Sequence, residues 1–193
     1  MFPRPITTIK QIEVTSKCNL ACKYCPHPKM KRKKEHMVWK TFEKTLDWVR
    51  YFMEQGTQRE VAITGIGEAL MHPGFVEMVK RIRIVIGWSN PITFSTNGIL
   101  LTDELCIALK PFEPRIFVSL HRPEKAGKAI EVAKKYGLYA THNDAFATDS
   151  MNWAGTVDWY VSTHSIPSRR GHNDLLHGLR EVGINRECVY GSS

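Results

Sequence analysis

"QIEVTSKCNLACKYCPHP" occupies residues 11–28. Its first six residues read as a β-strand. Directly behind them Cys18, Cys22 and Cys25 fall within eight residues, with three residues in the first gap and two in the second. The chain then uses no cysteine for the next eighty residues. An odd total of five cysteines, three of them clustered, suits a metal site in a reducing compartment better than a disulfide framework. A loop that follows a strand and carries three soft ligands is therefore the natural centre of a site.

Outward from that loop, apolar runs that read as strands alternate with stretches of helical period. Strands are expected at 11–16, 60–64, 91–95, 115–121, 138–142 and 157–164. Between them, Trp39, Phe42, Leu46, Val49 and Met53 recur at three- and four-residue steps, and Gly56 stands where such a helix stops. Phe75, Val79, Ile82 and Ile86 form a second stripe. A short helix over 102–110 has Thr102 or Asp103 as its cap, a fourth helix runs over 122–137, and another is expected over 172–183. Serial strand–helix units imply parallel strands joined by right-handed crossovers. Two architectures satisfy this, an open doubly wound sheet and a partial barrel. In both, the loops after the strands build the site.

Polar and small residues gather at those strand ends. Gly65, Gly67 and Glu68 follow the second strand, and Ser95, Thr96 and Asn97 the third. Ser119 and His121 follow the fourth, His142, Asn143 and Asp144 the fifth, Ser162 and His164 the sixth. For the cysteines, three thiolates plus His27 could close a zinc site, whereas three alone would hold three irons of a cubane and leave the fourth open. Cys106 falls on the apolar side of a helix and reads as a core residue.

The 193 residues carry a net charge of +8, from 27 Lys and Arg against 19 Asp and Glu. That excess favours acidic partners: nucleic acid, an acidic redox protein or an anionic substrate. Much of it sits in Lys29, Lys31, Arg32, Lys33 and Lys34, with no interleaved aromatics of the kind that stack on single strands. No apolar stretch approaches the ~18–20 residues of a membrane span, and the N-terminus lacks a secretory pattern, so a cytoplasmic location is expected.

"CNLACKYC" matches C-x3-C-x2-C and resembles the radical S-adenosylmethionine (radical SAM) enzymes, which often have an aromatic residue where Tyr24 stands. "GIGEALMHP" at 65–73 resembles that family's glycine–glycine–glutamate segment, although Ile66 separates the glycines. "STNG" after the third strand and "NWAG" at 152–155 are similar to further family segments, and the loop around 25–44 resembles members with a SPASM or twitch extension. The resemblance implies an α/β fold, a partial (β/α)6 TIM-type barrel with parallel strands. It implies that Cys18, Cys22 and Cys25 ligate a 4Fe–4S cluster whose open iron binds S-adenosyl-L-methionine. Gly65, Gly67 and Glu68 are then expected along the methionine ammonium, Tyr24 at the adenine, and Ser95, Asn97 and Ser119 at the ribose. The implied activity is reductive cleavage of SAM to a 5′-deoxyadenosyl radical for hydrogen abstraction, with a peptide or protein as the implied substrate. A small glycyl-radical-type activating enzyme is the enzymatic alternative, and a zinc- or nucleic-acid-binding module the non-catalytic one. A low-potential donor such as flavodoxin or ferredoxin is the implied partner, docking on the basic run. The chain is expected to be one core domain over 1–193, with core motifs in 10–165 and the start of an extension in 166–193. There Cys188 stands without enough partners for a complete auxiliary cluster.

Overall fold

A computed structural model of the chain describes residues 8–22, 25–119 and 123–143. Among these residues, five strands form one sheet: β1 (Gln11–Ile12), β2 (Val61–Ile63), β3 (Ile92–Thr96), β4 (Arg115–Ser119) and β5 (Ala140–Asn143). Four α-helices alternate with them: α1 (Trp39–Glu54), α2 (Phe75–Ile86), α3 (Asp103–Leu109) and α4 (Pro123–Lys135). All neighbouring pairs are parallel, and the spatial order is β1-β2-β3-β4-β5. A doubly wound sheet reverses its order at a switch point. Among the described residues no reversal occurs, and the arrangement is that of a partial barrel. The sixth strand and last helix read from the sequence lie outside the described residues, as do "NWAG" and Cys188.

Register explains which face is dry. Ile12, Ile63, Phe94, Ile116 and Ala140 are paired across the sheet, and all are buried. They share one core cluster with Phe42, Leu46 and Val49 of α1, Met78 and Ile82 of α2, Cys106 and Leu109 of α3, and Ala126 and Ala133 of α4. Alternate strand residues point the other way. Ala62, Thr93, Ser95, Phe117, Ser119 and Thr141 are only half-buried. Among the described residues, the helices thus cover one face, and the opposite face is left open.

α1 forms because its apolar residues recur with helical spacing, and it buries Phe42, Leu46, Val49 and Phe52. Each such side chain contributes about 1.5–3 kcal/mol by leaving water, so Phe42→Ala would cost about 3–5 kcal/mol. The stripe ends on Phe52 rather than Met53, which is partly buried. Gly56 follows with φ +71°, a left-handed turn that glycine adopts without penalty. Thr102 caps α3 by accepting the Leu105 N–H at 3.3 Å.

Candidate functional site

The parallel sheet delivers the ends of β1, β2 and β3 to one edge, where the cysteine loop begins. The loop is closed at its neck. Thr15 and His36 form an antiparallel bridge, Ser16 N–H donates to Glu35 O at 2.9 Å, and Met37 N–H donates to Val14 O at 2.8 Å. Ser16 Oγ accepts the Glu35 N–H at 2.9 Å. The first strand expected over 11–16 therefore pairs with β2 only at Gln11 and Ile12, and its last residues pair with the returning loop instead.

Cys18, Cys22 and Cys25 are half-buried and form no disulfide. Leu20 N–H donates to Cys18 Sγ at 3.4 Å, and Cys25 N–H donates to Cys22 O at 3.1 Å. Burial pushes the Cys18 thiol up; the Leu20 N–H opposes it, and Glu68, Cys25 and Cys22 raise it further through their negative charge. Burial also raises Cys25, against a hydrogen bond from the His27 backbone. Thiolates crowded beside one another resist ionisation until a cation cancels the repulsion. A set of soft sulfurs that accept backbone N–H bonds fits an iron–sulfur cluster. Among the described residues no three His, Cys, Asp or Glu side chains already converge as a cation cage, and ligation itself shapes such loops. His27 adjoins the trio through the Cys25 segment. It is buried, and its Nε2–H donates to the Ser16 carbonyl at 3.0 Å, which fixes the ring tautomer.

Gly67 and Glu68 tie the end of β2 to this loop. A Cβ on Gly67 would meet Thr15 O at 2.2 Å and Lys17 O at 2.6 Å, so the segment rests backbone to backbone on the loop entrance. Glu68 N–H donates to Lys17 O at 2.8 Å. The Glu68 side chain is buried. Its Oε1 accepts from Thr96 Oγ1 at 2.8 Å and Leu70 N–H at 3.2 Å, and its Oε2 from Asn97 N–H at 2.7 Å. Burial raises its pKa despite these three donors. The expected Asn97 is buried too; its Nδ2 donates to Asn19 Oδ1 at 2.7 Å and its Oδ1 accepts the Ile99 N–H at 3.0 Å. Gly65 stands apart from this network. The space beside it is filled by Glu13, whose Oε1 accepts the Ile66 N–H at 2.8 Å and whose Oε2 is bound by Arg32.

The structure thus brings the cysteine loop, Gly67, Glu68 and Asn97 together. Ser95 and Ser119 lie half-buried on the open face at the ends of β3 and β4. His142 lies inside β5, paired with Val118. Tyr24, His121 and His164 lie outside the described residues. Sequence reasoning missed Asn19 in the network and Glu13 beside it, and it placed Thr96 at the strand end without its bond to Glu68. Glu13 had a signal: it alternates with Ile12 and Val14, so it faces away from the core. Asn19 had none. In the basic run, Arg32 is engaged by Glu13 and Lys33 pairs with Glu35 at 3.0 Å, while Lys29, Lys31 and Lys34 are exposed.

Comparison with known proteins extends these observations. The family model described as the Radical SAM superfamily matches residues 12–174. The chain is 36% identical over 94 residues to the tungsten-containing aldehyde ferredoxin oxidoreductase cofactor-modifying protein of Pyrococcus furiosus, covering 49% of this chain and 25% of that protein. It is 30% identical over 193 residues to GTP 3′,8-cyclase 1 of Mycobacterium tuberculosis, covering 93% of this chain and 49% of that one. The chain therefore spans half or less of the length of these curated relatives. Among solved structures, BtrN in complex with AdoMet and 2-DOIA superposes with a TM-score of 0.56 at 19% identity, covering 73% of this chain and 57% of that one. anSMEcpe with bound AdoMet and Cp18Cys peptide gives 0.55 at 20% identity, over 70% and 42%. At those identities the likeness is one of fold.

Proposed function

The chain belongs to the radical SAM superfamily, and from that premise we propose that it binds a 4Fe–4S cluster through Cys18, Cys22 and Cys25 and cleaves S-adenosylmethionine there. The observation that carries this reading is the trio of cysteines on one loop, none in a disulfide, the loop locked at its neck and held against the ends of β2 and β3. When bound, the cluster supplies the electron that splits the sulfonium and releases a 5′-deoxyadenosyl radical for hydrogen abstraction.

The chain's own residues hold and shield. Gly67 lets β2 approach the loop without a side chain between them. Backbone groups at 65–67 are proposed to meet the methionine ammonium, with Glu68 behind them; its three internal donors support an indirect role. Ser95 and Ser119, on the open face, are proposed for the ribose hydroxyls and Tyr24 for the adenine. The match of the Radical SAM superfamily model to residues 12–174 supports the enzymatic reading over a non-catalytic zinc module.

Two substrate classes are carried forward. The resemblance of the cysteine loop to SPASM-type members supports a peptide or protein. The 30% identity to a GTP 3′,8-cyclase across 93% of this chain supports a nucleotide as the second reading, and a net charge of +8 suits it. An acidic low-potential donor docking at Lys29, Lys31 and Lys34 is proposed as the partner. The experiment is an anaerobic assay with dithionite and SAM, with GTP or a peptide added in separate arms. 5′-Deoxyadenosine is expected, and its absence in every arm would contradict the proposal.

A further inference from the structure

Asn19 is exposed, yet its side chain does not simply face water. Its partner, Asn97, is buried and cannot turn. Asn97 Oδ1 accepts the Ile99 N–H, which assigns the amide orientation and directs Nδ2 at Asn19 Oδ1, 2.7 Å away. Asn97 is also held through its backbone N–H by Glu68 Oε2. The same Glu68 donates its own N–H to Lys17 O. Lys17 and Asn19 are the two neighbours of Cys18. The first cysteine is therefore gripped on both sides, by main chain at Lys17 and by side chain at Asn19, and both grips lead back to one residue, Glu68, through its backbone N–H and its buried carboxylate respectively.

We infer that Asn19 is a positioning residue, and that its bond from Asn97 sets where the Cys18 arm stands against the ends of β2 and β3. The inference rests on the reading that Cys18 ligates the cluster. A well-made hydrogen bond between two side chains, one of them buried, is worth enough to hold such an arm in one place. Without it, the Lys17 grip alone leaves the residue after Cys18 untethered, and the site that meets SAM loses its alignment with the strand ends.

The test is a cycle of Asn19→Ala, Asn97→Ala and the double variant, reconstituted without oxygen and reduced. Bound iron is measured, and SAM is titrated by its effect on the cluster's EPR spectrum. Asn19→Ala is expected to weaken the apparent SAM affinity about tenfold, the value of one such bond, while the reduced cluster still forms. Adding Asn19→Ala to Asn97→Ala is expected to change nothing further. Asn19→Asp keeps the acceptor and is expected to restore the affinity. Because Asn19 is exposed, its variants test the idea even where Asn97→Ala fails to fold. An unchanged SAM titration in Asn19→Ala would overturn the inference, as would an equal loss in both backgrounds. No cluster signal in the unsubstituted protein would contradict the cofactor reading itself.

Discussion

A methyl group on Gly67 would stand 2.2 Å from the carbonyl oxygen of Thr15. The obstacle is backbone, which cannot swing aside. Gly67→Ala is therefore expected to force β2 and the cysteine loop apart and to cost about 3 kcal/mol, at the upper end of overpacking penalties. Gly65→Ala meets Glu13 Cγ at 2.4 Å and Cβ at 2.8 Å; the Cγ can rotate away but the Cβ cannot, so a smaller cost of about 1–2 kcal/mol is expected. Denaturant unfolding of the two variants checks the difference; equal midpoints would remove the distinction.

The cysteines divide into two kinds. Cys18→Ala, Cys22→Ala and Cys25→Ala are each expected to leave only a minor fraction of the bound iron. Cys106 is fully buried in the core, and burial first, then Asp103, pushes its thiol up to about 11. Cys106→Ala is expected to keep the iron, and Cys106 should resist alkylation at neutral pH. Iron analysis and mass-spectrometric mapping of the alkylated thiols read both outcomes.

Glu68 gives stability a pH dependence. Its pKa is raised in the folded chain by burial, so the folded state binds its proton more tightly than the unfolded state. The contribution is full below the ordinary carboxylate value and is lost as pH rises through the raised one. Glu68→Gln removes this titration. Compared with that variant, the unsubstituted protein is expected to lose stability as pH rises from the acid range towards neutrality, measured by thermal unfolding across that range. Parallel curves would contradict it.

The basic run is only partly available. Among the described residues, Arg32 is bound by Glu13 and Lys33 by Glu35, so the exposed charges of the run outside those ion pairs are Lys29, Lys31 and Lys34. Replacing those three by Glu is expected to slow cluster reduction by an acidic flavodoxin or ferredoxin severalfold at low salt, with reduction by dithionite unaffected. Stopped-flow reduction against both reductants reads this, and an unchanged protein-driven rate would count against docking there.

The strands were legible where one face is dry. Ile92 and Phe94, or Ile116 and Val118, are buried at alternate positions, and that alternation is written in the sequence. The helices were legible because Phe42, Leu46 and Val49 repeat with helical spacing. β1 was overestimated because alternation continues through Val14 while the hydrogen bonds change partner, from β2 to the chain around His36. Such a neck depends on contacts about twenty residues apart, which no local pattern encodes. The thiols were legible from spacing alone. The roles of Glu68 and Asn97 were not, because a carboxylate that braces two loops and one that faces a ligand occupy the same place in the chain. Only the hydrogen bonds to Thr96, Leu70 and Asn97 separate them.

The central claim is that three sulfurs hold a cluster with one iron left open to SAM. The most direct measurement is EPR spectroscopy of the anoxically reconstituted, reduced chain with and without SAM, beside Cys18→Ala. A cubane signal that SAM perturbs, absent from the variant, is the expected result. A protein that gives no such signal, or one indifferent to SAM, would contradict the account.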